Sequence, residues 1–120
     1  IGTPGDRNDL SVRKVGAVSG NAFDQIIIKE DKVSRGRKQG EIARLLQEGA
    51  LSSGMDIRAI SFVREEEKAL QKAIHTAKAG DMIVVFYEDL DAVINVIKEE
   101  ILRVEIDKKQ LTSEVMLVKA

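Results

Sequence analysis

Two stretches of this sequence combine residue types that could bind a ligand. In the first, residues 1–7, a turn rich in glycine and proline ends in Gly5, Asp6 and Arg7. A turn of this kind that leads into a helix offers unpaired backbone N–H groups to an anion, and an arginine adds a two-pronged donor. These three residues are therefore our candidates for binding a phosphorylated or anionic ligand. The alternative is a simple turn in which Asp6 only caps the helix, and the sequence alone leaves both open.

The second stretch follows a short apolar run and carries charges of both signs. Its carboxylates are Glu30 and Asp31, and its guanidinium groups are Arg35 and Arg37. Because arginine forks suit carboxylates, these four side chains are our candidates for binding an anionic or zwitterionic substrate. The alternative is a charged loop that only meets solvent.

Composition excludes several other kinds of site. The chain has no cysteine and a single histidine, His75, which excludes disulfides, thiolate chemistry and a zinc centre. The P-loop pattern Gly-x-x-x-x-Gly-Lys-Ser/Thr is absent from the sequence. We interpret His75 as a surface residue and the acidic cluster Glu65 to Glu67 as charge that complements a helix dipole. No catalytic residue and no metal ligand is identified.

The overall charge and hydropathy limit the partners. The 19 Lys and Arg residues nearly cancel the 20 Asp and Glu residues, so no large field favours nucleic acid or an anionic membrane. No apolar run approaches the roughly 20 residues that span a bilayer, and no signal-peptide pattern is present. We therefore expect a cytoplasmic protein that binds neither membrane nor nucleic acid, and its oligomeric state stays undetermined.

The periodicity of apolar residues predicts how these stretches are positioned. Helical stripes alternate with short apolar runs, which is typical of a Rossmann-like three-layer α/β sandwich with a mainly parallel sheet. At 120 residues the chain fits a single domain, and its first strand is expected to be truncated at Ile1. The predicted helices cover 9–22, 39–53, 65–80 and 90–101, and the predicted strands cover 23–28, 57–63 and 82–86.

Two further predictions concern the glycines of the first helix and the C-terminal tail. Gly16 and Gly20, four residues apart inside the first helix, predict a close approach to a neighbouring strand. The tail allows two interpretations. Apolar residues alternate at 102, 104 and 106 and again from 111 to 117, which favours a C-terminal β-hairpin. Ile97, Ile101 and Val104 also continue a helical stripe, which favours a longer helix.

Several modest motifs, taken in order, resemble the carboxyl-terminal domain of the Mur ligase superfamily. They are Gly-Asp-Arg-Asn-Asp at 5–9, Phe-Asp-Gln-Ile-Ile-Ile-Lys-Glu-Asp at 23–31, Arg-Gly-Arg at 35–37 and Ala-Gly-Asp-Met-Ile-Val-Val at 79–85. The resemblance covers roughly residues 2–101. Within the superfamily, Glu-Asp followed by Arg-Gly-Arg is most similar to the cyanophycin synthetase family. The loop departs from the Asp-Asn-Pro-Arg motif of the peptidoglycan ligases.

The resemblance implies a ligase that uses ATP and Mg²⁺ to form amide bonds through an acyl phosphate, adding aspartate and arginine to a polymer. By the resemblance, Gly5, Asp6 and Arg7 would face the nucleotide. The amino acid or polymer would meet the loop of Glu30, Asp31, Arg35 and Arg37. Most ATP and metal contacts would come from a central domain of the same parent chain, so this chain alone is expected to be inactive. A stand-alone small-molecule or nucleotide-binding module, or a peptidoglycan-type Mur ligase domain, are the alternatives.

Overall fold

The computed structural model describes residues 1–106 and 114–120, and it shows an α/β fold. Strands and helices alternate along the chain, which confirms the predicted Rossmann-like class. The elements are α1 (Asp9–Ala22), β1 (Ile26–Ile28), α2 (Glu41–Ser52), β2 (Ile60–Phe62), α3 (Glu66–Thr76), β3 (Met82–Tyr87), α4 (Leu90–Ile106) and β4 (Glu114–Lys119).

The predicted helix and strand positions agree with these elements, but several ends differ. Helix α3 ends at Thr76, before the predicted end at Gly80, because Ala77 has an extended backbone. Helix α1 has its predicted bounds because the side chain of Asn8 accepts a hydrogen bond from the Ser11 N–H at 2.8 Å. Helix α2 begins at Glu41 because Gly40 has a left-handed backbone with φ of 86°. The predicted strand 57–63 opens with a single 3₁₀ turn and pairs only over Ile60–Phe62.

The strands form two parallel pairs. Strand β1 pairs with β2 from Ile26 opposite Ile60 to Ile28 opposite Phe62. Strand β3 pairs with β4 over six residues, from Met82 opposite Glu114 onward. Because the strands of each pair are parallel, their carboxyl ends lie at a common edge, where loops can carry ligand-binding residues.

Two apolar clusters hold these pairs to the helices. The first joins α1, α2 and β1, and its most deeply buried side chains are Val12, Leu45 and Leu46. The second joins α3 and α4, with β3 and β4 packed against it, around Leu70, Val93 and Val96. Each parallel pair is thus backed by apolar helix faces, which is why its strands are nearly continuous apolar runs.

The predicted close approach at the glycines of α1 is real, but the neighbour is a helix. A Cβ atom on Gly16 would lie 2.1 Å from the carbonyl oxygen of Leu46 in α2. One on Gly49 of α2 would lie 1.9 Å from the carbonyl oxygen of Arg13 in α1. The prediction of a strand neighbour was therefore wrong, because these glycines bring two helix backbones into direct contact.

The predicted C-terminal hairpin is also wrong. Leu102 and Val104 belong to α4, and the strand that follows runs parallel to β3. A parallel neighbour requires a crossover connection, and α4 supplies it, so the helical alternative is the correct one. Of the predicted second hairpin strand, Val115 and Leu117 lie in β4, while 111 and 113 fall outside the described residues. No helix within the described ranges combines the length and apolar composition needed to cross a membrane.

Candidate ligand-binding site

The structure brings the two predicted stretches together. We call residues 1–8 the first loop and residues 29–40 the second loop. Arg37 of the second loop donates to the carbonyl oxygens of Gly5 at 3.0 Å and Arg7 at 2.5 Å. It also donates to the carboxylates of Asp9 at 2.6 Å and Glu41 at 3.3 Å. Arg37 therefore joins both loops and the starts of two helices.

The pKa shifts and the burial of Arg37 agree with these hydrogen bonds. The hydrogen bond from Arg37 lowers the pKa of Asp9, and the same bond raises the pKa of Arg37. Only 13% of the Arg37 side chain is exposed. The two loops approach so closely at residue 5 that only glycine fits there, because a Cβ atom would lie 1.9 Å from the carbonyl oxygen of Ser34. Gly5 is thus a contact point between the loops.

Arg35 and Asp6 form a second link between the loops, but an exposed one. The guanidinium of Arg35 lies 3.1 Å from the Asp6 carboxylate, and both side chains are more than half exposed. Arg35 also has a left-handed backbone with φ of 51°, which is uncommon for a residue with a side chain. The backbone turn at Arg35 and Gly36 thus lets Arg35 project at the surface while Arg37 points back into the loops.

The two carboxylates of the second loop are engaged inside the protein. Both oxygens of Glu30 accept from the N–H of Gly40 at 3.0 Å, next to the first residue of α2. Asp31 accepts from the ammonium of Lys29 at 3.2 Å. Their side chains are only 11% and 9% exposed. In this conformation Glu30 and Asp31 hold the second loop in place.

A buried ion pair, missed by the sequence analysis, fixes the edge of the sheet. Lys29, at the end of β1, donates to Glu66 at 2.7 Å, and both side chains are less than a tenth exposed. Glu66 also accepts from the backbone N–H groups of Glu88 at 2.8 Å and Asp89 at 3.2 Å. Glu66 therefore ties β1, α3 and the end of β3 together, and our interpretation of it as simple helix-dipole charge was incomplete. The only sequence signal was a lysine directly after three isoleucines.

Three carboxylates meet next to this pair. Oxygen atoms of Asp31, Glu66 and Glu88 lie within 4.8 Å of one another. The ammonium of Lys29 contacts two of the three, Asp31 and Glu66. The cluster is therefore part of an ion-pair network that already contains a cation.

A small cavity lies beside the first loop, at the carboxyl-terminal edge of β3 and β4. It measures about 230 Å³, and Thr3, Arg7, Phe86 and Lys119 are among its lining residues. Thr3 is 94% buried, and its hydroxyl has no hydrogen-bond partner among the described residues. Arg7 is exposed, and its guanidinium has no partner within residues 1–106 and 114–120. The cavity thus combines apolar walls with the exposed guanidinium of Arg7.

Several known proteins are similar to most of this chain. No protein-family model matches the chain. A cyanophycin synthetase from Synechocystis sp. is 37% identical over 98 residues, which are 82% of this chain and 11% of that protein. The chain resembles one part of cyanophycin synthetase. The cyanophycin synthetases of Crocosphaera subtropica and Nostoc sp. are 33% identical over 97 residues and 34% identical over 98 residues.

These matches show how much of this chain, and how much of each relative, is similar. They cover about four fifths of this chain, and the chain spans 11% of the length of each of these cyanophycin synthetases. The likeness inferred from the motifs is thereby confirmed at the level of a cyanophycin synthetase segment. Assignment to the Mur ligase superfamily, and the ligand roles of individual residues, stay predictions.

Proposed function

We propose that this chain is the carboxyl-terminal domain of an ATP-dependent amide ligase of the cyanophycin synthetase type, within the Mur ligase superfamily. ATP and Mg²⁺ are held mainly by another domain of the parent chain, and this domain adds contacts to nucleotide and substrate. Because the sequence contains no P-loop, the chain alone is inactive. The identity to curated cyanophycin synthetases supports the ligase assignment.

The observation that carries the nucleotide role is the exposed guanidinium of Arg7 beside the cavity, which has no partner among the residues that the structure describes. Arg7 follows a turn whose backbone is fixed by Arg37, so its position is set without using its own side chain. The first turn of α1 adds N–H groups and the positive end of the helix dipole. In the proposal Gly5 and Asp6 shape this turn, and Arg7 contacts the nucleotide.

The second loop supplies the substrate contact, and Arg35 is its most available group. Its guanidinium is 54% exposed and, among the residues that the structure describes, is paired only with the exposed Asp6. Such a surface pair is worth little and can be exchanged for a substrate carboxylate. Glu30, Asp31 and Arg37 are used to hold the loop, and direct substrate binding by them stays a prediction. The arginine forks favour a substrate that carries carboxylates, as an aspartate-containing polymer does.

The test is the Arg7→Ala variant in the full-length ligase that carries this chain. Loss of a charge-assisted contact should raise the KM for ATP or lower kcat by about tenfold or more, with an unchanged melting temperature. Arg58→Ala is the matched control, because Arg58 lies at the opposite, amino-terminal end of β2 and, within the described part of the chain, pairs only with Asp56. If both variants have wild-type kinetics, the first loop is not part of the nucleotide site.

A further inference from the structure

Two tight turns, one in each loop, bring opposite charges together. The first loop turns over residues 4–7, where a backbone hydrogen bond of 3.4 Å closes the turn. The second loop turns over residues 34–37, closed by a backbone hydrogen bond of 3.2 Å. Residues 35 and 36 both have left-handed backbones, with φ of 51° and 89°, as in a type I′ turn. This geometry places the guanidinium of Arg35 3.1 Å from the carboxylate of Asp6.

The backbones of both turns are held by contacts other than this ion pair. Arg37 donates to the carbonyl oxygens of Gly5 and Arg7, which are the residues on either side of Asp6. Gly5 also packs directly against the backbone of the residue that precedes Arg35. The neighbours of Asp6 and Arg35 therefore fix how far apart the two backbones lie. Asp6 stays within reach of Arg35 even when the ion pair is open.

The carboxylate of Asp6 has no second structural role in the described part of the chain. Helix α1, which follows the turn, is capped by Asn8, whose side chain accepts from the N–H of Ser11 at 2.8 Å. Asp6 therefore does not cap this helix. Among residues 1–106 and 114–120, the carboxylate of Asp6 pairs with Arg35 alone. The Asp6 side chain is 57% exposed, so removing its charge leaves no buried group unpaired.

We propose that Asp6 is an internal competitor of the substrate. Its carboxylate occupies Arg35 in the ligand-free protein, and a substrate carboxylate binds Arg35 only by displacing it. Asp6 is then a specificity-determining residue whose ionised side chain weakens substrate binding. This inference rests on the proposed substrate role of Arg35. It gives a residue of the first loop control over binding at the second loop.

The competition favours ligands that make several contacts. Asp6 is tethered beside Arg35, so a dissolved carboxylate has to compete with an effective concentration of about millimolar or more. A small acid offers Arg35 one carboxylate and few further contacts, so it displaces Asp6 poorly. A polymer that carries many carboxylates makes additional contacts that offset the lost ion pair. Because an exposed ion pair contributes little, the expected effect on polymer binding is about twofold to fivefold.

The experiment compares wild type, Asp6→Asn, Arg35→Ala and the double variant in the full-length ligase that carries this chain. Asp6→Asn keeps the size of the side chain and removes its charge. Asp24→Asn is the matched control, because Asp24 is exposed just before β1, at the opposite edge of the sheet. For each protein we would measure the KM for the aspartate-containing polymer and the succinate concentration that halves the rate. Melting temperatures check that every variant is folded.

Asp6→Asn should lower the KM for the polymer about twofold to fivefold. Succinate should also inhibit this variant at a lower concentration than it inhibits the wild type. When Arg35 is already alanine, Asp6→Asn should change neither value, because the competition needs both side chains. Asp24→Asn should give the wild-type values.

Three results would overturn the inference. In the first, Arg35→Ala raises the KM for the polymer, but Asp6→Asn fails to lower either the KM or the inhibitory succinate concentration. The substrate role of Arg35 then still stands. In the second, Asp6→Asn has the same effect with and without Arg35, so Asp6 acts only through its general charge. In the third, Arg35→Ala has a wild-type KM, which removes the proposed substrate role and the inference with it.

Discussion

At the scale of single residues, arginines that look alike in the sequence have different surroundings. Arg37 makes four hydrogen bonds across both loops and is largely buried. Arg35, two positions earlier, makes one exposed ion pair. Arg7 has no side-chain partner among the described residues. Of these three arginines, Arg37 therefore holds the two loops together, whereas Arg7 and Arg35 are exposed and available to bind a ligand.

This difference predicts that substitutions at Arg35 and Arg37 have unequal effects on stability. Arg37→Ala should lower the melting temperature by several degrees, because it leaves the backbone carbonyls of Gly5 and Arg7 without their donor. Arg35→Ala is the matched control, and its melting temperature should stay within about a degree of the wild type because its ion pair is exposed. Thermal unfolding followed by circular dichroism measures both. Equal losses for the two variants would remove the special role of Arg37.

The sequence could identify the candidate residues but not their roles. Charge and spacing marked Glu30, Asp31, Arg35 and Arg37 as a group, and the fold does bring their loop against the first loop. Whether a side chain of this loop contacts the protein or the solvent depends on two features. One is the left-handed turn at Arg35, and the other is the pair of carbonyl oxygens of Gly5 and Arg7 that accept hydrogen bonds from Arg37. These acceptors are backbone atoms more than 25 residues away, and no pattern of side chains reveals them.

At the scale of elements, the periodicity of apolar residues predicted a helix or strand correctly wherever a single period was present. The stripe of Ile42, Leu45, Leu46 and Gly49 predicted α2, and the apolar run at 82–86 predicted β3. Periodicity failed in the tail, where periods of two and of 3.6 overlap from 97 to 106. It also could not say what the glycines of α1 touch, because the partner of a helix face is decided by tertiary packing.

The helix contact predicts a large effect from one added methyl group. Gly16→Ala should lower the free energy of unfolding by about 2 kcal/mol, because the Cβ atom meets the backbone of Leu46, which cannot rotate away. The gain in helix propensity, about 1 kcal/mol, only partly offsets this clash. Lys14→Ala is the control, since Lys14 is exposed on the same helix and should change stability little. Urea titration would contradict the close contact if Gly16→Ala were as stable as the wild type.

At the scale of the whole molecule, the buried amino group of Ile1 predicts a pH dependence. In a polypeptide that begins at Ile1, this group has a pKa of about 5 when folded and 8.0 when unfolded. Between these values the unfolded state binds more protons, so the free energy of unfolding should rise with pH. The rise should be at most about 4 kcal/mol between pH 5 and 8. Stability contributed by the neutral amine is lost as the pH falls through this window.

Acetylation of the Ile1 amino group is the matched control for this pH dependence. The acetylated chain has no titrating amine, so its stability should be nearly flat over the same range. Urea unfolding of both chains between pH 5 and 8 measures the difference. Identical pH profiles would show that the amino group is not buried against β1.

Under the proposed function, this chain can serve as a domain of a cyanophycin synthetase. The most direct measurement is ATP-dependent polymer synthesis by a Synechocystis cyanophycin synthetase whose matching 98-residue segment is replaced by that of this chain. A second chimera with the matching segment of the Nostoc relative controls for the exchange itself. Both chimeras should make polymer, and Arg7→Ala should abolish synthesis by the first. A folded first chimera that makes no polymer, beside an active Nostoc chimera, would contradict it.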